Sequence, residues 1–492
     1  MTKRDVKFVT WALILANAIS GLDATIITTA LPAIISDLDG IQFMGWCVAI
    51  FLFGVSVSTP FWNKLGELFG TKKAFLGSLL IFAVTSVLEG LAPNIYLFIA
   101  ARALMGIGAG GMGALPYVII GYLYDDIYDR TKALGMVAAS FSFASIIGPL
   151  LGGVIVDALS WHWIFYLNVP FSLITMYLTW RYYKTDVKKV VQKNFDWLGS
   201  VLMVAGLVIF LSGVQLLGLT KLSLVMALII LGLVILTLFV LVEIKLAHPL
   251  IKMDIFKNKQ LVVDFILFSL AWGSFVAYNT YAPIWSQGLL GTSALVGGAV
   301  LIPNSIADLF GSQSAAWIQR RFKIKTVLTM GLSSILITAA LMAVLPFDTP
   351  LIVLMATGLF SGFGVGLVFV ILQVKVQMDA RKDEMSEATS LSYLIRILAQ
   401  TLMAAIYGVL MNQQLAAGVH KYPQVTLKML NNLTDAKNQK LLPQNLMPTL
   451  RSILHQGMVV IMVAAAVLAL IAVVVNWRSK NTEIKHKGPL QD

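Results

Sequence analysis

The chain has 492 residues, of which 58% are hydrophobic and only 12% are charged. Soluble domains carry about 25% charged residues, and a soluble core cannot bury so much apolar surface. The composition therefore excludes an ordinary soluble protein and indicates a lipid bilayer as the solvent. The net charge of +12 lies in short segments between apolar runs, which is typical of membrane topology and argues against nucleic-acid binding.

Cysteine and histidine usage excludes two kinds of site. The single cysteine, Cys47, cannot form an internal disulfide. The five histidines are scattered and lack the spacing of metal ligands. We therefore expect neither thiol pairing nor a bound metal to support the fold or the mechanism.

Apolar runs of about 20 residues predict about fourteen membrane-spanning helices. The first run is interpreted as a span because it continues without a signal-peptide cleavage site. In chain order the predicted spans are 8–30, 44–62, 74–91, 95–119, 133–158, 163–182, 197–217, 222–244, 261–285, 294–317, 327–345, 351–374, 388–411 and 454–477.

Basic residues crowd the N-terminus, the C-terminal tail and every second connection between spans. This distribution predicts that both termini are cytoplasmic. The long connection 412–448 is then expected outside the membrane on the outer side. It is predicted either to have structure of its own and gate a site, or to be a disordered surface loop.

A carboxylate interrupts the first span at Asp23, within Leu22-Asp23-Ala24-Thr25. Charge inside a membrane is costly, so such an acid is by default a functional candidate. We expect Asp23 to exchange protons in a water-accessible cavity. The alternative is an acid near the helix end that simply faces water.

The connection between the second and third predicted spans combines glycines with charges. Gly66 and Gly70 permit a tight turn, while Glu67 and Lys72 supply opposite charges. Glu67 is expected to pair with a basic group or a helix N-terminus. The pattern predicts a cytoplasmic latch between conformations, with plain topology-setting charge as the alternative.

The fourth and fifth spans carry small residues at helical spacing. Arg102 is followed by Gly106 in the fourth span, and Gly148-Pro149 is followed by Gly152-Gly153 in the fifth. Small residues let helices approach closely. Arg102 is expected to pair with a carboxylate, unless it extends to the membrane interface.

Asp308 lies deep in the tenth predicted span among apolar neighbours. It is therefore our second candidate for a cavity carboxylate. Asp264 and Glu387 are expected near the cytoplasmic ends of their spans, and Glu89 is expected at the outer rim. These three acids rank lower as functional candidates.

Aromatic side chains of the second half are expected either to line an apolar cavity or to pack within the bundle. In a cavity, cation–π contacts would suit a lipophilic cation. Arg396 lies deep enough in the thirteenth span to need a partner, and a structural counter-ion is one role for it. The aromatic candidates are Trp272, Tyr278, Tyr281 and Tyr393.

In their order and spacing these motifs resemble the major facilitator superfamily, and specifically its fourteen-span drug:proton antiporters of the QacA and EmrB type. The resemblance covers essentially the whole chain and is sharpest over residues 20–175. It implies an all-α polytopic membrane protein with fourteen helices arranged as 6+2+6 and both termini cytoplasmic. The implied parts are a six-helix bundle (1–186), an inserted helix pair (187–255) and a second six-helix bundle (256–492).

The resemblance implies a proton-coupled exporter of lipophilic compounds, with cations as a candidate class, that works by alternating access between the bundles. The implied setting is multidrug efflux and antibiotic resistance at a bacterial cytoplasmic membrane. The expected partners are an amphiphilic substrate, protons and the lipid bilayer, without nucleic acid, and the expected state is a monomer. The proton gradient replaces a cofactor, and no phosphate-binding loop is present in the sequence.

Three other functions are alternatives to a drug exporter. The first is an exporter of a defined metabolite, amphiphile or lipid, which the same motifs permit. A polytopic membrane enzyme would need a catalytic cluster in an aqueous loop, and the short or merely basic connections offer none. A sensor that binds a ligand without moving it would show no flux. We therefore expect a transporter and not an enzyme.

Overall fold

The computed structural model describes residues 1–38, 44–184, 196–216, 220–246, 249, 251–292, 294–433, 439 and 442–479. Within these residues the regular structure is entirely helical. The helices are α1 (Lys3–Asp37), α2 (Met44–Phe69), α3 (Thr71–Gly90), α4 (Ile95–Leu123), α5 (Ile127–Ala158), α6 (His162–Tyr182), α7 (Trp197–Gln215), α8 (Leu222–Glu243), α9 (Lys259–Ile284), α10 (Ala294–Ala299), α11 (Ile302–Arg321), α12 (Ile324–Val344), α13 (Leu351–Asp379), α14 (Met385–Lys421), α15 (Leu427–Leu433) and α16 (Met447–Arg478).

Ten helices of the described chain are long and apolar enough to cross a membrane. A shorter apolar helix, Leu198–Val214, adds to them. The prediction of a multi-pass, all-helical membrane protein is therefore confirmed. Fourteen of the described helices are long, and four of these fourteen are not among the ten. The described helices therefore support ten to fourteen spans, and the predicted fourteen is the upper limit.

The long helices pack in two bundles. In the first, α1 packs against α5 and α6, α2 against α4, and α3 against α4 and α6. In the second, α9 packs against α14 and α16, α11 against α13, and α12 against α13 and α16. Helices α7 and α8 pack on each other, and α7 also contacts α2 and α14. The two bundles meet mainly through α5 with α11 and through α2 with α14.

Both described ends of the chain lie at one face of the molecule, which we call the basic face. Lys184 Nζ, just after α6, lies 3.7 Å from Asp5 Oδ2 at the start of α1. Lys325 Nζ donates to the Ser479 carbonyl across 2.9 Å at the end of α16. The side chains of Thr131 and Gln319 join the two bundles at this face, with 2.8 Å between Thr131 Oγ1 and Gln319 Oε1.

The predicted tenth span, 294–317, is not one continuous helix. The chain leaves α10 at Ala299, and α11 begins at Ile302 with Pro303 in its first turn. Proline lacks an amide hydrogen, so it is tolerated in the first turn of a helix but not in the interior. This break separates a short N-terminal piece from the helix that carries Asp308.

The connection predicted over 412–448 is partly helical. Helix α14 extends to Lys421, and α15 follows within the connection. Val425, Leu430 and Leu433 are buried in a core that also contains Trp285. The described part is thus a packed cap on the end of the second bundle, which favours the structured alternative; residues 434–438, 440 and 441 lie outside the described part of the chain.

Candidate functional site

A cluster of two acids and one arginine lies inside the first bundle. Arg102 Nη1 on α4 lies 3.1 Å from Asp23 Oδ2 on α1 and 3.4 Å from Glu89 Oε2 on α3. The exposed fractions are 0% for both acids and 1% for the arginine. The cluster carries one net negative charge when all three groups are ionised, and it lies where hydration cannot offset that charge.

Neutral groups complete the environment of this acid–arginine cluster. Asn168 Nδ2 on α6 lies 3.4 Å from Asp23 Oδ1 and 3.0 Å from Ser86 Oγ. The Arg102 guanidinium carbon lies 4.2 Å from the centre of the Phe51 ring. Close packing of α2 on α4 permits this stacking, because a Cβ at Gly106 would collide with the Phe51 carbonyl. Five helices of the first bundle, α1, α2, α3, α4 and α6, therefore hold the charges in place.

The expected position of Glu89 at the outer rim is wrong, because the residue is fully buried against Arg102. The alternatives of a water-facing Asp23 and an interface-seeking Arg102 are excluded by the same burial. The short connection between α3 and α4 is a feature of the sequence from which the contact of Glu89 with Arg102 could have been predicted. Side chains on a helix point back toward its N-terminus, so an arginine two turns into α4 reaches the end of α3.

The second candidate acid, Asp308, lies on the opposite side of the bundle interface. Its carboxylate accepts a hydrogen bond from Ser142 Oγ on α5 of the first bundle. Ser312 Oγ, one turn later on α11, lies 3.4 Å from Asp308 Oδ1. Glycines on α13 make room for this helix, because a Cβ at Gly366 would collide with the Asp308 carbonyl. Asp308 is half-buried and joins the two bundles.

Arg396 on α14 lies between aromatic rings near the same interface. Its guanidinium carbon is 4.5 Å from the Tyr393 ring centre, 4.7 Å from that of Phe369 and 5.4 Å from that of Trp272. Trp272 and Tyr393, which are expected either to line a cavity or to pack within the bundle, both contact this arginine. The ring of Phe369 also meets Tyr117 of α4 edge-on at 5.2 Å, so the first bundle contributes to the same region.

The other two predicted aromatic residues lie elsewhere. Tyr278 is buried, and its hydroxyl donates to the Leu354 carbonyl at 3.3 Å. Tyr281 is buried in the core that also includes Trp285. These tyrosines pack within the second bundle, so the structure separates them from the pair that contacts Arg396.

The glycine-containing connection between α2 and α3 has the predicted turn. Gly70 has a φ of 93°, a conformation that favours glycine. Glu67 Oε2 lies 3.7 Å from Lys64 Nζ on its own helix. Lys72 Nζ donates to the Trp180 carbonyl at 2.7 Å, which joins this connection to α6. A Cβ at Gly66 would be in ordinary van der Waals contact with Thr71, so helix packing does not require a glycine at this position.

Contacts at the basic face close the space between the bundles. Ser386 Oγ on α14 donates to Asn63 Oδ1 on α2 at 2.6 Å. Gln377 Nε2 on α13 donates to the Tyr117 carbonyl on α4 at 3.0 Å. Glu387 accepts a hydrogen bond from the Lys252 amide in the segment after α8. Glu387 lies in the first turn of α14, as the sequence predicts.

The small residues of α5 allow it to approach α1. A Cβ at Gly148 would collide with the Thr25 hydroxyl, so glycine is needed for the observed spacing. Gly152 is also buried. The surroundings of Pro149 and Gly153 lie outside the described residues, although both belong to α5.

A second buried charge cluster lies in the second bundle near the basic face. Lys375 Nζ on α13 is 2.6 Å from Asp264 Oδ1 on α9 and 2.7 Å from Asp379 Oδ2. The exposed fractions are 2% for Lys375 and 0% for Asp264. Asp264 was expected near this end of its span, but its pairing with Lys375 was not predicted. The i, i+4 spacing of Lys375 and Asp379 is the sequence feature that could have predicted the ion pair between these two residues.

Two apolar helical bundles with charges buried inside them and at their interface define a membrane transport protein. A model described as Major Facilitator Superfamily matches residues 13–404. The match covers most of the chain, and the chain therefore belongs to the major facilitator superfamily.

Relatives of known name support the same class. The chain is 31% identical over 407 residues to "Multidrug resistance protein 3" of Bacillus subtilis, covering 82% of this chain and 79% of the relative. It is 31% identical to "Multidrug transporter protein MdtP" of the same species, covering 81% and 74%. Against "Multidrug efflux pump SdrM" of Staphylococcus aureus the identity is 28%, covering 81% and 88%.

A solved structure agrees in fold. The human organic anion transporter MFSD10 superposes with a TM-score of 0.66 and 11% identity, covering 97% of this chain and 100% of the other. At this identity the agreement concerns the fold alone. The family match and the named relatives make the protein a multi-pass membrane transporter and not an enzyme.

Proposed function

We propose that the protein is a proton-coupled secondary exporter of lipophilic compounds, of the fourteen-helix drug:proton antiporter type. The observation that carries the proposal is the buried cluster of Asp23, Glu89 and Arg102. Two acids share one guanidinium where neither acid reaches water in this conformation. Such an arrangement is suited to holding one proton and releasing it when access changes.

The charge balance gives the physical reason for proton exchange. With Asp23 and Glu89 both ionised, Arg102 neutralises only one of them, and the remaining charge lies in a medium of low dielectric constant. Leaving a charge uncompensated at a buried site costs several kcal/mol. One bound proton makes the cluster neutral. In the proposed cycle, that proton is released when the bundles move and water reaches the cluster.

A continuous set of contacts is available to couple the proton to the cargo. Asp23 is on α1, whose Thr25 contacts Gly148 of α5. Helix α5 also carries Ser142, whose hydroxyl donates a hydrogen bond to Asp308 of the second bundle. A shift of α1 after proton release therefore acts on the helix that forms the bundle interface. This is the coupling that exchange of cargo for protons requires.

The direction and setting of transport are also part of the proposal. The names of three relatives include multidrug resistance, a multidrug transporter and a multidrug efflux pump, which supports export. The basic face is assigned to the cytoplasm by the positive-inside rule. The proposed setting is a bacterial cytoplasmic membrane, with a monomer as the working unit and the proton gradient as the energy source.

The test uses purified protein in acid-loaded liposomes, with ethidium, Nile red and carboxyfluorescein as cationic, neutral and anionic probes. Dye uptake driven by the outward proton gradient is expected for at least one probe. Glu89→Gln and Asp23→Asn are expected to abolish gradient-driven uptake but to retain dye–dye exchange without a gradient. Asp348→Asn, in an exposed connection, is the matched control and keeps both activities.

Gradient-driven uptake that is unchanged in both variants would refute the assigned role of the cluster. Uptake in none of the probes would favour the alternative of a defined metabolite, amphiphile or lipid as cargo. Susceptibility profiling of a strain lacking the gene, against dyes, biocides and metabolites, separates these two cargo classes.

A further inference from the structure

We propose that Arg396 is the binding group for the anionic end of an aromatic carboxylate or sulfonate at the bundle interface. The proposal rests on the proposed function for the direction and energy of transport, and it adds the chemical class of the cargo. It begins from the observation that the rings expected to hold a cationic cargo already surround a cationic side chain of the protein.

The aromatic environment of Arg396 leaves little attraction for a second cation. Three ring centres lie between 4.5 and 5.4 Å from its guanidinium carbon. Ring faces attract one positive charge at this distance, and Arg396 supplies it. A lipophilic cation would have to displace the arginine and then remain beside a like charge.

The charge of Arg396 lacks a close counter-ion in the described part of the chain. No carboxylate there forms an ion pair with it within 4.0 Å. Its Nε is buried and has no hydrogen-bond partner among those residues. The nearby Asp308 directs its carboxylate to Ser142 and Ser312 instead. The buried Nε–H of Arg396 is therefore an unsatisfied donor on a cationic group, which makes this arginine a candidate partner for an incoming anion.

The position of Arg396 suits a transported ligand. Arg396, Tyr393 and Asp308 are half-buried, and Asp308 accepts a hydrogen bond from Ser142 of the first bundle. The Tyr393 ring also lies against Gly113 of α4, where a Cβ would collide with it. Both bundles therefore border the site, and any rocking of one against the other changes its shape.

The chemistry of the lining specifies the ligand. A guanidinium binds a carboxylate or sulfonate through two parallel hydrogen bonds. The rings of Trp272, Phe369 and Tyr393 offer apolar faces to an aromatic body. Arg396 supplies one positive charge, so it balances one negative charge on the ligand and leaves a second one uncompensated. The structure thus favours an aromatic monoanion over a dianion or a simple cation.

The experiment measures binding by the full-length protein in lipid nanodiscs without a proton gradient. The probes are three molecules of nearly equal shape: 9-anthracenecarboxylate, 9-anthracenecarboxamide and 9-anthracenylmethylammonium. Calorimetric titration gives the three dissociation constants. The carboxylate is expected to bind about tenfold or more tightly than the ammonium analogue, since charge-assisted hydrogen bonds to Arg396 are available only to the anion.

Arg396→Gln is expected to weaken carboxylate binding by about tenfold or more and to leave the neutral carboxamide nearly unchanged. Retained carboxamide binding shows that the variant is folded, and Arg396→Lys is expected to restore part of the carboxylate affinity. Arg321→Gln is the matched control, because Arg321 also stacks on a tryptophan, at 4.3 Å, but is exposed at the end of α11. The control is expected to bind all three probes as the parent protein does.

Equal binding of carboxylate and ammonium by the parent protein would overturn the proposal. Unchanged carboxylate binding by Arg396→Gln would also overturn it. The same holds if this variant binds the ammonium probe more tightly and shows no other change. Because binding is measured without a gradient, its outcome is independent of proton coupling. Anion binding without gradient-driven transport would refute the proposed function alone, and transport without anion binding would refute only this inference.

Discussion

Replacement of Lys375 by methionine tests how the second bundle keeps charge inside the membrane. The substitution removes the ammonium group between Asp264 and Asp379, which lies 2.6 and 2.7 Å from their carboxylate oxygens. At an effective dielectric constant of about 20, one such contact contributes roughly 6 kcal/mol of Coulomb energy. Desolvation offsets part of it, and removing one partner of a buried pair costs about 3–5 kcal/mol in measured cases.

We therefore expect Lys375→Met to be strongly destabilising, with a lower midpoint of thermal unfolding in detergent measured by tryptophan fluorescence. The double variant Asp264→Asn with Lys375→Met is expected to recover part of the loss, because it removes one of the two acids together with their shared partner. Recovery distinguishes an electrostatic cost from simple loss of packing.

The matched control is Lys257→Met. Lys257 Nζ also lies 2.6 Å from a carboxylate, Asp254 Oδ1, but both side chains are exposed. Its hydrogen bond lowers the pKa of the Asp254 carboxyl group. An exposed pair contributes little stability, and we expect no measurable change in the unfolding midpoint. Equal effects of the two lysine substitutions would refute the argument from burial.

Two further predictions concern helix packing and the closed basic face. Gly362→Ala would place a Cβ against the Asn304 carbonyl and push α11 away from α13. We expect this variant to destabilise the protein by about 1–3 kcal/mol in the same thermal assay. Gly408→Ala, where the added Cβ meets open space, is the control and is expected to leave the unfolding midpoint unchanged. Ser386→Ala removes the hydrogen bond to Asn63 and is expected to speed deuterium exchange at the start of α14. Unchanged exchange would contradict the view that this contact helps to close the basic face.

The amino-acid sequence was sufficient to predict the membrane class and most helices. Hydropathy is a local property, and a run of about 20 apolar residues must span or be buried wherever it lies in the fold. Hydropathy does not predict where a helix is interrupted, because the interruption depends on a proline and its neighbours. The break near Pro303, between α10 and α11, is an example.

The cost of a charge in lipid likewise singled out Asp23, Arg102 and Asp308 from the sequence alone. That cost shows that a charged residue needs a partner, but it does not say which one. Glu89 seemed to belong at the membrane surface because it ends an apolar run. Only the packing of α3 and α1 on α4 showed that it is buried in the acid–arginine cluster.

Tertiary structure also decided what the aromatic residues contact. Trp272 and Tyr393 lie 121 positions apart, yet their rings meet at Arg396 because α9 packs on α14. Tyr278 is on the same helix as Trp272 but faces a different core. The sequence by itself determined which residues the membrane makes costly, since that depends on each side chain. Which residues offset that cost was decided by the rotation and packing of whole helices.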